Sequence, residues 1–403
     1  MMGSVAIPSI TPLCRMSDGC AFGSHLPRDI KGAFFRGLWE DGYDCSSLHP
    51  ASLRASTYYP AARYQLFDPS LKAISNNPSA PLPTKPPLVA MSSSSSTPVW
   101  FITGASSGFG EAVAKEALAR GHRVVASARS AASLAGLAAT GAAVMAVDVT
   151  APDAELAAKL AEAAAVHGAI THVLNAAGYI LEGAVEEASA AESAAMFNTN
   201  VQGAVNISKA AIPHLRRAAA AAAASSAADS SSSSPSRPTP VLANFGSLGS
   251  WFGSPACAHY CASKWAVSGL SEGLAAELAG LGIAATVVEP GYFRTGFLNT
   301  AASGSKERRV RTAGPLPDVY GPGTAVGAVR GALEGYDNDQ PGDVVKGARV
   351  IVDVLTGTGV SSGRQVPPRI VLGTDALEGI RKKCEETLAL LKEWEDVARS
   401  TDY

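Results

Sequence analysis

Tyr260 and Lys264 stand four apart in the run Tyr260-Cys261-Ala262-Ser263-Lys264. On a helix that spacing puts both side chains on one face. A phenol ionises near pH ~10 and is a poor acid–base group at neutral pH. A neighbouring ammonium favours the phenolate and so lowers that pKa. The pair could then give a proton to a carbonyl oxygen or take one from an alcohol. Ser247 lies thirteen residues upstream (260 − 247 = 13) and offers a hydroxyl that can bond the same oxygen and steady the charge developing on it. Each residue alone has an ordinary explanation as a surface Tyr, a solvated Lys or a turn Ser. Their joint spacing points to carbonyl chemistry.

A second constellation comes earlier. The strand-like Val99-Trp100-Phe101-Ile102 runs into Thr103-Gly104-Ala105-Ser106-Ser107-Gly108-Phe109-Gly110, and a helical pattern follows over Glu111 to Arg120. Strand, glycine-rich turn and helix N-terminus together make a pyrophosphate cradle. The glycines allow the tight turn and close backbone approach, and the helix end presents N–H groups to the anion. The cradle positions are Gly104, Ser106, Ser107, Gly108 and Phe109. At the end of the second strand, Val124-Val125-Ala126-Ser127-Ala128-Arg129 has Ala128 where an acid would grip a ribose 2′-hydroxyl. Arg129 can pair with a 2′-phosphate instead, and Ser127 can add a hydrogen bond. The expected cofactor is therefore NADP (NADPH) rather than NAD.

The elements that must position these residues alternate regularly. Apolar runs at Val124–Ala126, Val144–Val147, Val173-Leu174, Val241–Ala243 and Ala285–Val288 are separated by helical, alanine-rich segments. Apolar strands joined by helices imply a parallel sheet covered on both faces. The expected fold is α/β, a doubly wound parallel sheet (Rossmann fold) in a single domain over residues 98–403. Before it, residues 1–97 are proline-spotted and aperiodic and read as a disordered N-terminal extension. Residues 1–90 carry eight Lys/Arg against six acids, which suits neither a transit peptide nor a signal peptide. Inside the domain, residues 218–240 read as a low-complexity insertion. Its polyalanine, Ala218–Ala224, would lengthen the preceding helix, and its Ser/Pro portion would stay on the surface.

Composition narrows the function further. In 403 residues there are 33 Lys plus Arg and 35 Asp plus Glu, a formal net charge of −2 with only 17% charged. That balance argues against a nucleic-acid partner bound through a basic field. No run reaches the ~18 apolar residues of a membrane span. The six cysteines form no CxxC pair, and three fall within the first 90 residues, which suits free thiols and a cytoplasmic setting.

The TGxxxGxG spacing of the glycine turn, taken with the elements after it, resembles the short-chain dehydrogenase/reductase family. Asp148-Val149 after the third strand matches that family's adenine-contacting acid. Asn175-Ala176-Ala177-Gly178 matches its N-x-A-G motif, and Asn200-Val201-Gln202-Gly203 its helix motif. Ser247, Tyr260 and Lys264 match its catalytic set, and Pro290-Gly291-Tyr292-Phe293-Arg294-Thr295 its PGxxxT element. The resemblance implies that Ser247, Tyr260, Lys264 and Asn200 carry catalysis. Lys264 would also hold the nicotinamide ribose, and Asn200 would position a proton-relaying water. Asp148, Val149, Asn175, Pro290, Gly291 and Thr295 would join the cofactor site. The C-terminal layout, with Gln340-Pro341-Gly342-Asp343, a strand-like Ile370–Gly373 and a long last helix, is similar to the hydroxysteroid and retinol dehydrogenase subgroup. Residues 296–320 would form a mobile substrate loop.

Other candidates are weaker. Cys257, His259 and Cys261 cannot all meet one metal, because on a helix Cys257 and His259 point about 200° apart. His167 and His172 read as structural histidines. Tyr179, Trp251, Phe252, Tyr292, Phe293 and Phe297 together suggest an apolar substrate wall. The resulting expectation is an NADP-dependent oxidoreductase interconverting a small apolar carbonyl and its secondary alcohol. It would pair as a homodimer or homotetramer through the helices around 200–217 and 257–280. A non-catalytic NADP-binding regulator would predict erosion of the Ser-Tyr-Lys set, and a sugar-nucleotide epimerase a longer TGxxGxxG turn. Neither matches the sequence.

Overall fold

The computed structural model describes residues 97–228, 238–298, 309–336 and 339–403. The expected extension, apart from Thr97, and most of the Ser/Pro tract lie outside the described residues. In chain order the elements are β1 (Val99–Thr103), α1 (Gly108–Ala119), β2 (Arg123–Ala128), α2 (Ala135–Ala139), β3 (Ala143–Ala146), α3 (Asp153–His167), β4 (His172–Asn175), β5 (Ile180–Glu182), α4 (Ala190–Phe197), α5 (Gly203–Ala228), β6 (Val241–Phe245), α6 (Ala258–Ala279), β7 (Ala284–Pro290), β8 (Arg309–Arg311), α7 (Ala325–Gly335), α8 (Val344–Thr356), β9 (Arg369–Leu372), α9 (Thr374–Glu393) and α10 (Glu395–Arg399). The polyalanine run does lengthen α5, which extends to Ala228.

Seven strands form one parallel sheet in the order β3-β2-β1-β4-β6-β7-β9. Alternate side chains of each strand leave the sheet on opposite faces, so β1 feeds two cores. Trp100 and Ile102 pack with Val113 and Ala117 of α1 and Ile351 and Val352 of α8. Phe101 packs on the other face with Leu156 and Leu160 of α3, Ile207 and Leu215 of α5, and Leu274 of α6. All five β1 residues are buried, as a doubly covered central strand requires. The direction of chain progression reverses between β1 and β4, where Thr103 lies level with Asn175. In an open α/β sheet such a switch point opens a crevice beyond the strands' carboxyl ends.

Candidate active site

The glycine turn, the N-x-A-G turn, the PGxxxT segment, Asn200 and Lys264 meet at that crevice. Gly104 follows β1 with φ +63°, and a Cβ there would strike the Ala176 carbonyl at 2.6 Å. The glycine turn and the N-x-A-G turn are thus in backbone contact, and only glycine fits. Gly108, at φ +58°, is the first residue of α1. A Cβ on it would project to within 3.7 Å of the Thr295 side chain, which places the PGxxxT segment over the helix N-terminus. Gly110 lets α1 pass against Gly104, whose carbonyl a Cβ would meet at 2.6 Å.

Beside the cradle, Asn175 donates to Asn244 Oδ1 at 2.8 Å and Asn244 donates to Ser271 at 3.0 Å. These bonds tie β4 to β6 and α6 beneath the site. Asn175 therefore acts on the sheet. Asn200 lies within a single π-helical turn, Asn198–Gln202, between α4 and α5. Such turns are often found at functional sites. Its amide brackets Tyr179: Oδ1 accepts from the Tyr179 N–H at 3.0 Å, while Nδ2 donates to the Tyr179 carbonyl at 3.0 Å and to Ser263 at 3.1 Å. With its side chain so engaged, Asn200 fixes the backbone after Gly178. A Cβ on Gly178 would lie 3.1 Å from Asn200 Oδ1 and 3.7 Å from Lys264 Nζ.

Helix α6 brings Tyr260 and Lys264 to one face, as their spacing predicts. The Lys264 ammonium lies 5.8 Å from the Tyr260 ring centre and donates to the Phe245 carbonyl at 2.7 Å. Ser247 opens a 3-10 turn after β6, and its Oγ accepts from the Gly249 N–H at 3.1 Å. A Cβ on Gly249 would meet both Ser247 Oγ at 3.6 Å and Tyr260 Cε1 at 3.5 Å, which sets the two side chains beside each other. Ser250 in that turn donates to the Lys264 carbonyl at 3.0 Å. The electrostatics differ from the expected lowering of the phenol pKa. Burial pushes the Tyr260 phenol well above its ordinary value, with the neighbouring Ser247 hydroxyl pulling the other way. Burial also draws the Lys264 ammonium down to about 8. Both ionic forms lose hydration here, and that loss outweighs their mutual help.

The remaining expected residues divide. Arg129 is exposed directly after β2, pairs with no carboxylate among the described residues, and its charge reaches the Tyr179 phenol. Ser127 does not point toward a cofactor: it is buried, and its hydroxyl donates to the Ile102 carbonyl at 3.1 Å. Asp148 is exposed and holds an Asx turn by accepting from the Thr150 N–H and hydroxyl at 2.9 and 2.7 Å. Val149 is buried, and its carbonyl accepts from Asn206. The Phe109 side chain faces Phe245, Phe293 and α8, so only its backbone is at the cradle. Pro290 ends β7, and Gly291 abuts the Asp375 carboxylate at the start of α9, which accepts from the Tyr292 N–H at 2.7 Å.

Of the expected aromatic wall, Tyr179 and Phe297 pack in the apolar cluster around Tyr260, and Tyr292 stacks edge-on with Tyr336. Phe293 belongs to the core beside α8, and Phe252 meets Gly379 of α9. Cys257 and Cys261 fill the same cluster as Tyr260, while His259 bonds Ser193 and the Val185 carbonyl. The far half of the 296–320 segment is anchored. Its β8 pairs in parallel with β5, Arg309 donates to the buried Glu182 at 2.8 Å, and the Ala313 and Leu316 N–H groups donate to Glu192 and Glu187.

A glycine turn that opens a helix N-terminus, an exposed arginine after the second strand with no carboxylate partner among the described residues, and a buried ammonium beside a phenol fit a nicotinamide dinucleotide. The comparisons agree at the level of family. A sequence profile described as short chain dehydrogenase matches residues 98–306. The chain is 31% identical over 308 residues to the oxidoreductase BOA17 of Botryotinia fuckeliana, spanning 75% of this chain and 98% of that protein. It is 33% identical over 196 residues to a 3-ketodihydrosphingosine reductase of Bacteroides thetaiotaomicron, spanning 49% of this chain and 64% of that one. A solved short-chain dehydrogenase from Streptomyces avermitilis superposes with a TM-score of 0.63 at 31% identity, over 76% of this chain and 100% of the other.

Proposed function

The chain belongs to the short-chain dehydrogenase family and is an NAD(P)-dependent oxidoreductase, and on that premise we propose that it uses NADP to interconvert a carbonyl and a secondary alcohol, with Tyr260 as proton donor and acceptor. The observation that carries this reading is the buried Tyr260 side chain lying between the Lys264 ammonium, 5.8 Å from its ring, and the Ser247 hydroxyl, which meets it at Gly249. Gly104, Ser106, Ser107 and Gly108 would hold the cofactor's phosphates, Arg129 its 2′-phosphate, and Lys264 its nicotinamide ribose. Bound there, the nicotinamide supplies or accepts the hydride. Tyr260 gives its proton to the carbonyl oxygen in reduction and takes one from the alcohol in oxidation. The Ser247 hydroxyl donates to the same oxygen and holds it against the phenol. Lys264 favours the phenolate that reduction leaves behind. Tyr179 and Phe297 give the pocket apolar walls, which favours an apolar substrate.

Assembly belongs to the same proposal. On α6, Trp265 is half exposed, and a Cβ on Gly269 or Gly273 would meet nothing within 4 Å. That open face suits close approach of a second α6 about a two-fold axis.

A panel of aldehydes, ketones and secondary alcohols with NADPH and NADP⁺ would find a working substrate. On it, Tyr260→Phe should lower turnover by at least ~10²-fold, while NADPH still binds by nicotinamide fluorescence. Unchanged turnover in that variant would remove Tyr260 from the chemistry.

A further inference from the structure

Glu289, the residue before Pro290-Gly291, is fully buried at the end of β7. Its carboxylate gathers three donors from three different elements. One oxygen accepts the Trp251 indole N–H at 2.9 Å. The other accepts the Ser268 hydroxyl at 2.8 Å and the Arg369 guanidinium at 2.5 Å. Trp251 closes the 3-10 turn that Ser247 opens. Ser268 lies one turn beyond Lys264 on α6. Arg369 begins β9, lies 4.7 Å over the Trp251 ring and also pairs with Glu272 at 2.8 Å. The stem of Glu289 presses on the residue before Ser247 as well: a Cβ on Gly246 would meet Glu289 Cγ at 3.0 Å and Ser250 Oγ at 2.9 Å.

The Ser247 turn and the Tyr260–Lys264 segment are therefore joined by two bridges. Ser250 makes the near one, accepting from the Ser247 N–H at 3.2 Å and donating to the Lys264 carbonyl. Glu289 makes the far one. A carboxylate suits that place because it accepts at both oxygens and needs no acceptor in return. Burial pushes its carboxyl up, and Trp251, Ser268 and Arg369 hold it down.

We infer that Glu289 is a positioning residue, which fixes the Ser247 hydroxyl against the Tyr260 phenol by clamping Trp251 to Ser268 and Arg369. The inference rests on the Ser247–Tyr260–Lys264 reading. Displacing a reacting group by about 1 Å can cost up to ~10²-fold in rate, so loosening the clamp should lower kcat and leave binding alone. The test compares wild type, Glu289→Gln, Trp251→Phe and Tyr260→Phe on the best carbonyl of an aldehyde and cyclic-ketone panel with NADPH. Glu289→Gln exchanges an acceptor oxygen for an NH2 that cannot receive these donors. Trp251→Phe cuts one spoke without touching a buried charge, so it reports even if Glu289→Gln fails to fold. The expected result is a kcat lower by ~10- to 10²-fold in Glu289→Gln and severalfold lower in Trp251→Phe, with carbonyl KM and NADPH Kd within twofold of wild type. A purely structural role would lower the melting temperature and leave the kcat of folded protein intact. Wild-type kcat in the folded Glu289 and Trp251 variants, with Tyr260→Phe inactive, would overturn this inference alone. Wild-type kcat in Tyr260→Phe would overturn the underlying reading and this inference with it.

Discussion

Burial draws the Lys264 ammonium from 10.5 to about 8, and desolvation is the sole cause. A folded-state pKa below the unfolded one means that the unfolded chain binds the extra proton. The cost to stability is complete below pH 8 and fades as pH rises toward 10.5. The shift corresponds to roughly 3 kcal/mol, reduced by the ~1 kcal/mol that the bond to the Phe245 carbonyl returns. Lys264→Met should therefore raise the melting temperature at pH 7 while turnover falls by at least ~10²-fold, a trade of stability for activity. A variant both inactive and less stable would show that the ammonium supports the fold. Arg129 tests a different term, because it is exposed and carries no structural bond among the described residues. Arg129→Asp puts a repulsive charge where the 2′-phosphate would lie and an acceptor where a 2′-hydroxyl would lie. The Kd for NADPH should rise and that for NADH fall. An unchanged ratio of the two, measured by fluorescence titration, would reduce Arg129 to a solvated loop residue.

At the scale of elements, the β5–β8 pair shows how charge can build a strand that apolar pattern does not announce. Arg309-Val310-Arg311 reads as loop in sequence, yet it pairs with Ile180-Leu181-Glu182. The buried Glu182 accepts from Arg309 at 2.8 Å, with Arg311 and Arg330 farther away at 3.6 and 3.5 Å. Removing one partner from a buried pair leaves an uncompensated charge, at a cost of about 3 kcal/mol. Arg309→Met should lower the melting temperature and raise the carbonyl KM, since the anchored half of the 296–320 segment would come loose. A variant with unchanged melting temperature and KM would mean that Arg311 and Arg330 suffice for Glu182. The strands of the large sheet were legible because each is a continuous apolar run between helical patterns, and Tyr260 and Lys264 because a helix converts their spacing into adjacency. The Ser127 hydroxyl, the π turn at Asn200 and the clamp at Glu289 were not, since each depends on which residue a distant element brings near. Helix α8 is an intermediate case. Asp343 accepts from the Val345 and Lys346 N–H groups at 2.8 and 3.2 Å, and a cap before the apolar run of Val344–Thr356 is a helix-start signal that sequence carries.

Across the whole molecule, the sheet puts the chemistry at one end of its strands and a buried, acid-sensitive histidine at the other. Gly104, Asn175, Ser247 and Glu289 gather at the carboxyl ends of the strands, whereas His172 begins β4 at the opposite end. It is fully buried, stacks 4.6 Å from Trp100, and is bonded to Thr171 at 2.8 Å and to the Leu355 carbonyl of α8 at 3.0 Å. A carbonyl can only accept, so Nε2 carries the proton and Nδ1 accepts from the Thr171 hydroxyl. A second proton would have to enter at Nδ1 in an apolar core, and burial holds the imidazole down to about 4 against an ordinary 6.5. The unfolded chain then binds the additional proton between these values. Stability is complete above pH 6.5 and is lost as pH falls toward 4, by about 3 kcal/mol for this residue. His122, His167 and His214 are also lowered by burial and act in the same direction. Glu192 is held at about 2 by its hydrogen bonds and titrates below this window. Denaturant unfolding between pH 7 and pH 4.5 should show wild type losing stability steadily, and His172→Asn losing distinctly less whatever its stability at pH 7. An equal loss in the two proteins would assign the acid sensitivity to other histidines and to carboxyls held low in the folded protein, such as Glu187 and Asp353.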